Sequence, residues 1–257
     1  MIYLTFMERM KNFNHMKISD KIRKKIEEIE PGNTFTYQQF ELKNDEYFAG
    51  AKAIERFIKN GVIKRLSTGI FYIPQKSIFG DLKPSDEELI KPYLFNKKDE
   101  RIAYITGTSF YNKIGLTTQI PRVIKIASRD KRIYISTKNV KATPVKSYVD
   151  VTNQNFYLLQ ILDALKDFKT IQDLNTKSAI MILKTTISKL SIQETKNLMK
   201  YAISYPPRVI AFLGAIIEYI DVNVQTDQLK EILNPLTKYK IGINSDILPT
   251  SKNWSIK

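Results

Sequence analysis

"GVIKRLSTGIFYIP", residues 61–74, decides how the first third of the chain reads. Two short apolar segments flank Ser67-Thr68-Gly69, a three-residue loop with glycine last. That pattern predicts a β-hairpin in which Gly69 supplies the left-handed conformation. Lys64 and Arg65 stand just before its tip. Upstream, "NDEYFAGAKAIERFIKNG" (44–61) has helical spacing. Asn44 is its expected cap, Phe48, Ala51, Ile54, Phe57 and Ile58 face inward, and Gly61 closes it. "TFTYQQFEL" (34–42) reads as a short helix capped by Thr36. "KISDKIRKKIEEIEPG" (17–32) reads as a helix with Ile18, Ile22, Ile26 and Ile29 on one stripe, capped by Ser19 or Asp20 and stopped at Pro31-Gly32. Three helices and a hairpin predict a winged helix-turn-helix domain over 16–78, whose third helix enters the major groove while the hairpin lies along the backbone. The competing reading is an ordinary solvated hairpin.

The chain has 257 residues with 41 Lys and Arg against 26 Asp and Glu, a net charge of +15. Such an excess points to a polyanionic partner, most often nucleic acid. Only nine of the basic residues are Arg, so much of the charge is of the kind that AT-rich codons produce unselected. Distribution therefore carries more weight than the total. Residues 52–76 hold Lys52, Arg56, Lys59, Lys64, Arg65 and Lys76 against Glu55, after a net acidic stretch at 41–50. The expected DNA-binding residues are Tyr37, Gln38, Tyr47, Lys52, Arg56, Lys59, Lys64, Arg65, Ser67 and Thr68. Across 122–146 eight basic residues face a single acid, Asp130. Arg122, Lys125, Arg129, Lys131, Arg132 and Lys138 form this second patch. It reads either as a phosphate-contacting surface, toward promoter DNA or an RNA, or as a solvated sheet face.

Residues 1–15 show no period and read as a mobile or mis-annotated leader, with Met7, Met10 and Met16 as alternative starts. In "KSIFGDLKPSDEELIKPYLF", Pro84 and Pro92 bracket a short acidic helix, and a domain boundary falls near 78. Residues 79–257 predict a mixed α/β domain, β-rich over 99–150 and helical over 151–257. Expected within it are a strand at Ile102–Ile105, a helix at Ser109–Ile114, and a hairpin pairing 122–127 with 132–136. Helices follow at 153–168, 176–189, 191–204, 207–220 and 227–233. "YPPRVIAFLGAIIEYI" (205–220) is apolar nearly all round and should be the buried central helix, while Trp254 anchors the tail. The class is α+β.

Several functions are disfavoured. There is no Cys and one His, His15, which removes thiol chemistry and leaves little basis for zinc or imidazole catalysis. "PSDEEL" lacks the strand-borne carboxylates of a metal nuclease, no glycine-rich phosphate loop occurs, and no cofactor is expected. The longest apolar run, "VIAFLGAII" (209–217), is half a membrane span, and "MIYLTFM" lacks signal-peptide order, so the chain reads as cytoplasmic without a membrane partner.

"AIERFIKNGVIKRLSTGIFYIP", "YITGTSFYNKIGLTTQIPRVIKIAS", "YPPRVIAFLGAIIE" and the terminal "LPTSKNWSIK" together resemble the AbiE-type abortive-infection antitoxin family, in the same order from about residue 17 to the end. The resemblance implies a type IV toxin–antitoxin system of phage defence. It implies a winged-helix N-terminal domain that represses its own promoter, a C-terminal antitoxin domain, and a neighbouring nucleotidyltransferase toxin as functional partner. It assigns Gly61–Pro74 to the wing. Asp45 and Glu46 depart from the pattern, which shifts expected base contact to Tyr47, Lys52 and Arg56. The expected function is thus a non-enzymatic, DNA-binding antitoxin and autorepressor. The alternatives are a stand-alone winged-helix regulator, or a nuclease-like enzyme fused to a winged helix.

Overall fold

A computed structural model describes residues 17–137, 140–221 and 224–257. The leader at 1–15 and Lys138 lie outside the described residues. The chain is α+β and divides into two compact units, Met1–Lys97 and Lys98–Lys257.

In the first unit, α1 (Ile18–Glu27) is followed by β1 (Thr34–Thr36), 3-10 turns at Tyr37–Phe40 and Asn44–Glu46, and α2 (Tyr47–Lys59). Then come β2 (Lys64–Ser67), β3 (Ile70–Tyr72), β4 (Gln75–Ser77), β5 (Gly80–Leu82), α3 (Asp86–Ile90) and a 3-10 turn at Lys91–Leu94. The helix expected over 34–42 is instead a strand and one 3-10 turn. Pairing explains this: Phe35 is buried and lies opposite Phe71, giving a three-stranded antiparallel sheet in the order β1-β3-β2. The Thr36 N–H donates to Gln39 Oε1 at 3.2 Å, which starts the 3-10 turn. Ile22, Ile26, Phe35, Phe40, Ala53, Ile54, Phe57, Ile63 and Phe71 form the core.

Three details differ from the sequence expectation. Helix α1 has Lys17 as its cap and makes no side-chain capping bond. Helix α2 begins at Tyr47, where Glu46 Oε2 accepts from the Lys43 N–H at 2.8 Å. The unit also runs to Lys97, well past residue 78. Its last segment is stitched to β1: Thr34 Oγ1 donates to the Glu88 carbonyl at 2.8 Å, Gln38 Nε2 donates to the Lys97 carbonyl at 2.8 Å, and Leu89, Ile90 and Leu94 are buried.

The second unit holds β6 (Ala103–Thr106), α4 (Thr108–Lys113), β7 (Ile124–Ser128), β8 (Ile135–Ser136) and β9 (Lys141–Lys146). The helices α5 (Phe156–Asp167), α6 (Thr176–Ser188), α7 (Ile192–Ala202), α8 (Pro207–Ile220) and α9 (Asp227–Lys230) follow, with a closing 3-10 segment at Pro249–Trp254. The hairpin expected between 122–127 and 132–136 does not form. Strand β7 is central, antiparallel to β6 and parallel to β9, and β8 pairs with β9 instead. Ile124, Ile126 and Ala127 are all buried, as befits an inner strand that needs two neighbours. The partner β9 contains Pro144, which disguises it as a loop. Strand β8 pairs only at Lys141 and Ala142, so the missing N–H of Pro144 costs no pairing on that side.

Helix α8 is buried from Val209 to Ile217 at the centre of this unit. Trp254 packs its indole against Gly214 of α8, where a Cβ would come within 2.1 Å of the ring, and its Nε1 donates to Glu218 Oε2 at 2.7 Å. Among the described residues no helix is long and apolar enough to cross a membrane.

Candidate nucleic-acid interface

Helix α2 buries Gly50, Ala53, Ile54 and Phe57. At 100° per residue, Lys52, Arg56 and Lys59 share the opposite face, all three exposed. Phe48 lies on that same outward face and is 73% exposed, so the inward position expected for it is corrected. The Lys52 ammonium sits 4.4 Å from its ring centroid. Tyr47 is about 140° round the helix from Lys52, so the structure separates it from the cationic row. The acidic start is partly neutralised within the unit. Glu46 accepts from the Lys43 backbone and lies 3.6 Å from Lys21 Nζ, and the Lys43 N–H is foremost in holding its carboxyl below the usual range.

The hairpin β2–β3 pairs Lys64 with Tyr72, Arg65 with Phe71 and Ser67 with Ile70, with a bulge between Arg65 and Ser67. Strand β2 reaches Ser67, so the tip is Thr68-Gly69, with Gly69 at φ +76°. Thr68 and Arg65 are exposed. Lys64 Nζ pairs with Asp81 Oδ2 of β5 at 2.8 Å, and this contact raises the Lys64 pKa and lowers that of Asp81. Ser67 Oγ lies 3.5 Å from the Tyr93 hydroxyl. Tyr37 packs edge-on against Phe71 with centroids 5.2 Å apart; burial raises its pKa against the opposing pull of Arg65. Gln38 is tied to the Lys97 carbonyl. The residues left at the surface are therefore Phe48, Lys52, Arg56 and Lys59 on one face of α2, and Arg65 and Thr68 on the hairpin. Tyr37, Gln38, Lys64 and Ser67 are engaged within the unit.

The second basic patch does not form one surface. Arg122 precedes β7 and Arg129 follows it, which puts them about 20 Å apart along the strand direction. Arg129 donates to the Tyr148 carbonyl at 2.5 Å and lies 3.9 Å from Asp150. Lys125 runs its aliphatic stem over Gly107, and Lys131 and Arg132 are exposed.

Sequence reasoning missed a buried polar cluster in the second unit. Asp163 of α5 is 2% exposed. Its Oδ2 accepts from the Tyr104 hydroxyl at 3.0 Å and from Thr106 Oγ1 at 2.8 Å; its Oδ1 accepts from Lys166 Nζ at 3.2 Å and Tyr205 at 3.4 Å. The Tyr111 hydroxyl donates to Asp167 at 2.8 Å, and Asp167 also lies 3.6 Å from Lys166. Burial works against the Lys166 ammonium, but Asp163 and Asp167 outweigh it and raise its pKa. The available signal was a single carboxylate amid the apolar "FYLLQILDAL". Among the described residues no His, Asp or Glu side chains gather in a group able to hold a metal ion.

The chain belongs to DUF6088, a family of unknown function whose model matches residues 18–190. Among solved structures, the RV2827C protein from Mycobacterium tuberculosis is similar at 8% identity with a TM-score of 0.46, covering 87% of this chain and 85% of that one. No protein of curated function matches.

Proposed function

We propose that this chain is a non-enzymatic, duplex-DNA-binding antitoxin of the AbiE type that represses its own promoter and acts in the cytoplasm. The first unit binds the promoter as a winged helix; the second counteracts a nucleotidyltransferase toxin. The carrying observation is the element order α1-β1-turn-α2-β2-β3 with the sheet order β1-β3-β2, combined with an exposed cationic row on α2 and an exposed Arg65-Thr68 tip. This order presents a helix to the major groove and a hairpin to the backbone. The antitoxin role draws its support from the four quoted sequence motifs.

The test is fluorescence anisotropy of the full chain on the duplex upstream of its own coding region, titrated with salt. A linear fall of log K with log salt, steeper for that duplex than for the protein with Arg65→Ala, is expected. Co-expression with the adjacent nucleotidyltransferase gene should restore growth. Absence of duplex binding refutes the DNA-binding role; binding without rescue refutes the antitoxin role.

A further inference from the structure

The first unit carries a second antiparallel ribbon, β4–β5, which pairs Gln75 with Leu82, Lys76 with Asp81 and Ser77 with Gly80. Its tip is Ile78-Phe79, and these side chains are 94% and 92% exposed. The turn is well held. Ser77 Oγ donates to the Gly80 carbonyl at 2.8 Å and accepts from the Phe79 N–H at 3.2 Å, while Gly80 adopts φ +103°. Turn chemistry favours Gly, Asn, Asp, Ser or Pro at such positions, so it gives no reason for Ile-Phe. Leaving both side chains in water also forgoes the burial that normally stabilises them.

We propose that Ile78 and Phe79 form an apolar wedge that enters the minor groove of duplex DNA and inserts between base steps. This rests on the proposed duplex-binding role of the same unit. Shape favours DNA over a protein face: two side chains at the end of a thin ribbon make a blade, whereas protein docking surfaces are broad contiguous patches. Phe and Ile are among the side chains that wedge base steps apart. Charge agrees. Lys76 lies on β4 opposite Asp81 of β5, and the Asp81 carboxylate is neutralised by Lys64. That same ion pair ties the ribbon to β2, the strand that carries Arg65.

The experiment uses the full chain on the duplex upstream of its own coding region, with permanganate to modify unstacked thymines and diethyl pyrocarbonate to modify unstacked purines. Ile78→Ser with Phe79→Ser is the variant, and its melting temperature should match the parent's because both side chains are exposed. The parent should create a discrete reactive step that the variant abolishes. Affinity should fall about tenfold, the lost burial of two apolar side chains being largely offset by the base unstacking that the variant no longer performs, with an unchanged salt slope because no phosphate contact is removed. An equally reactive step with the variant overturns the wedge and leaves duplex binding standing. A parent that binds no duplex overturns both. If the parent is a dimer by light scattering and the variant a monomer, the tip is a contact between copies and the wedge is wrong.

Discussion

Replacing Asp163 tests whether the buried cluster holds α5 to β6. Asp163→Ala removes the carboxylate that the Tyr104 and Thr106 hydroxyls share, and leaves Lys166 with Asp167 as its remaining carboxylate. Tyr205 keeps the Leu159 carbonyl at 3.5 Å. Removing one partner of a buried, hydrogen-bonded ion pair costs about 3–5 kcal/mol, so the expected loss is about 4 kcal/mol. Asp163→Asn keeps a carbonyl oxygen for Tyr104 and Thr106 but presents its amide N–H groups to Lys166, for about 1.5–3 kcal/mol. The assay is built into the chain, because Trp254 is the only tryptophan and is buried in the second unit. Its fluorescence in urea therefore follows that unit alone. With a slope of about 2 kcal/mol per molar, the midpoint should fall by about 2 M for the alanine variant and about 1 M for the asparagine. Midpoints within about 0.5 M of the parent for both variants would refute the assigned role of the cluster.

Arg65→Ala should reduce the salt slope of duplex binding by about 0.9, while Lys64→Ala should change it less because Lys64 is already paired with Asp81; equal reductions would place Lys64 on a phosphate. Asp81→Asn releases Lys64 and should strengthen duplex binding, measured by the same anisotropy titration. Gly214→Ala drives a Cβ into the Trp254 ring and should cost about 1–3 kcal/mol in the tryptophan-monitored urea transition, outweighing the helix propensity it gains. The Tyr157 hydroxyl, with Ser191, holds the Glu194 carboxyl at about 2 against an ordinary 4.5, so its contribution is present above pH 4.5 and lost as pH falls through about 2. Glu194→Gln should therefore flatten the parent's fall in melting temperature across that acid window.

Much of the helical second unit was legible because its helices are strongly periodic or almost wholly apolar, as with α8 after Pro207. The errors fall where a segment is short or its pattern is two-faced. Thr34–Thr36 has three residues, too few for a period, and only its pairing with β3 makes it a strand. Strand β9 hides behind Pro144, and without it β7 was given the wrong partner. Phe48 stands one helical step before Ala51, yet at about 100° per residue it falls opposite Phe57 and within about 40° of Lys52, on the outward face. The domain limit moved from 78 to 97 because Thr34 and Gln38 are satisfied by groups some sixty residues later, which no local pattern announces.

The candidate interface was legible in outline and blurred in membership, and lysine abundance explains both. A window count cannot tell a cation that serves the fold from one left for a partner. Lys21 faces Glu46, Lys64 faces Asp81, Lys230 faces Glu218, and Lys166 answers two carboxylates. The scarcity of arginine singles Arg129 out as a partner contact, yet its guanidinium serves the Tyr148 carbonyl and Asp150 of the same unit. A planar guanidinium with five donors is as well suited to tying down a loop carbonyl as to gripping a phosphate. The second patch thereby loses its central arginine, and of its described cations Arg122 precedes β7, Lys125 lies within it, and Lys131 and Arg132 follow it. The first patch loses Lys64 but keeps Lys52, Arg56 and Lys59 on one helical face. Arg65 is exposed on the hairpin, its guanidinium carbon 5.8 Å from the Phe71 ring centroid. A cation–π contact orients a guanidinium without consuming its donors, the arrangement that leaves it available for a phosphate.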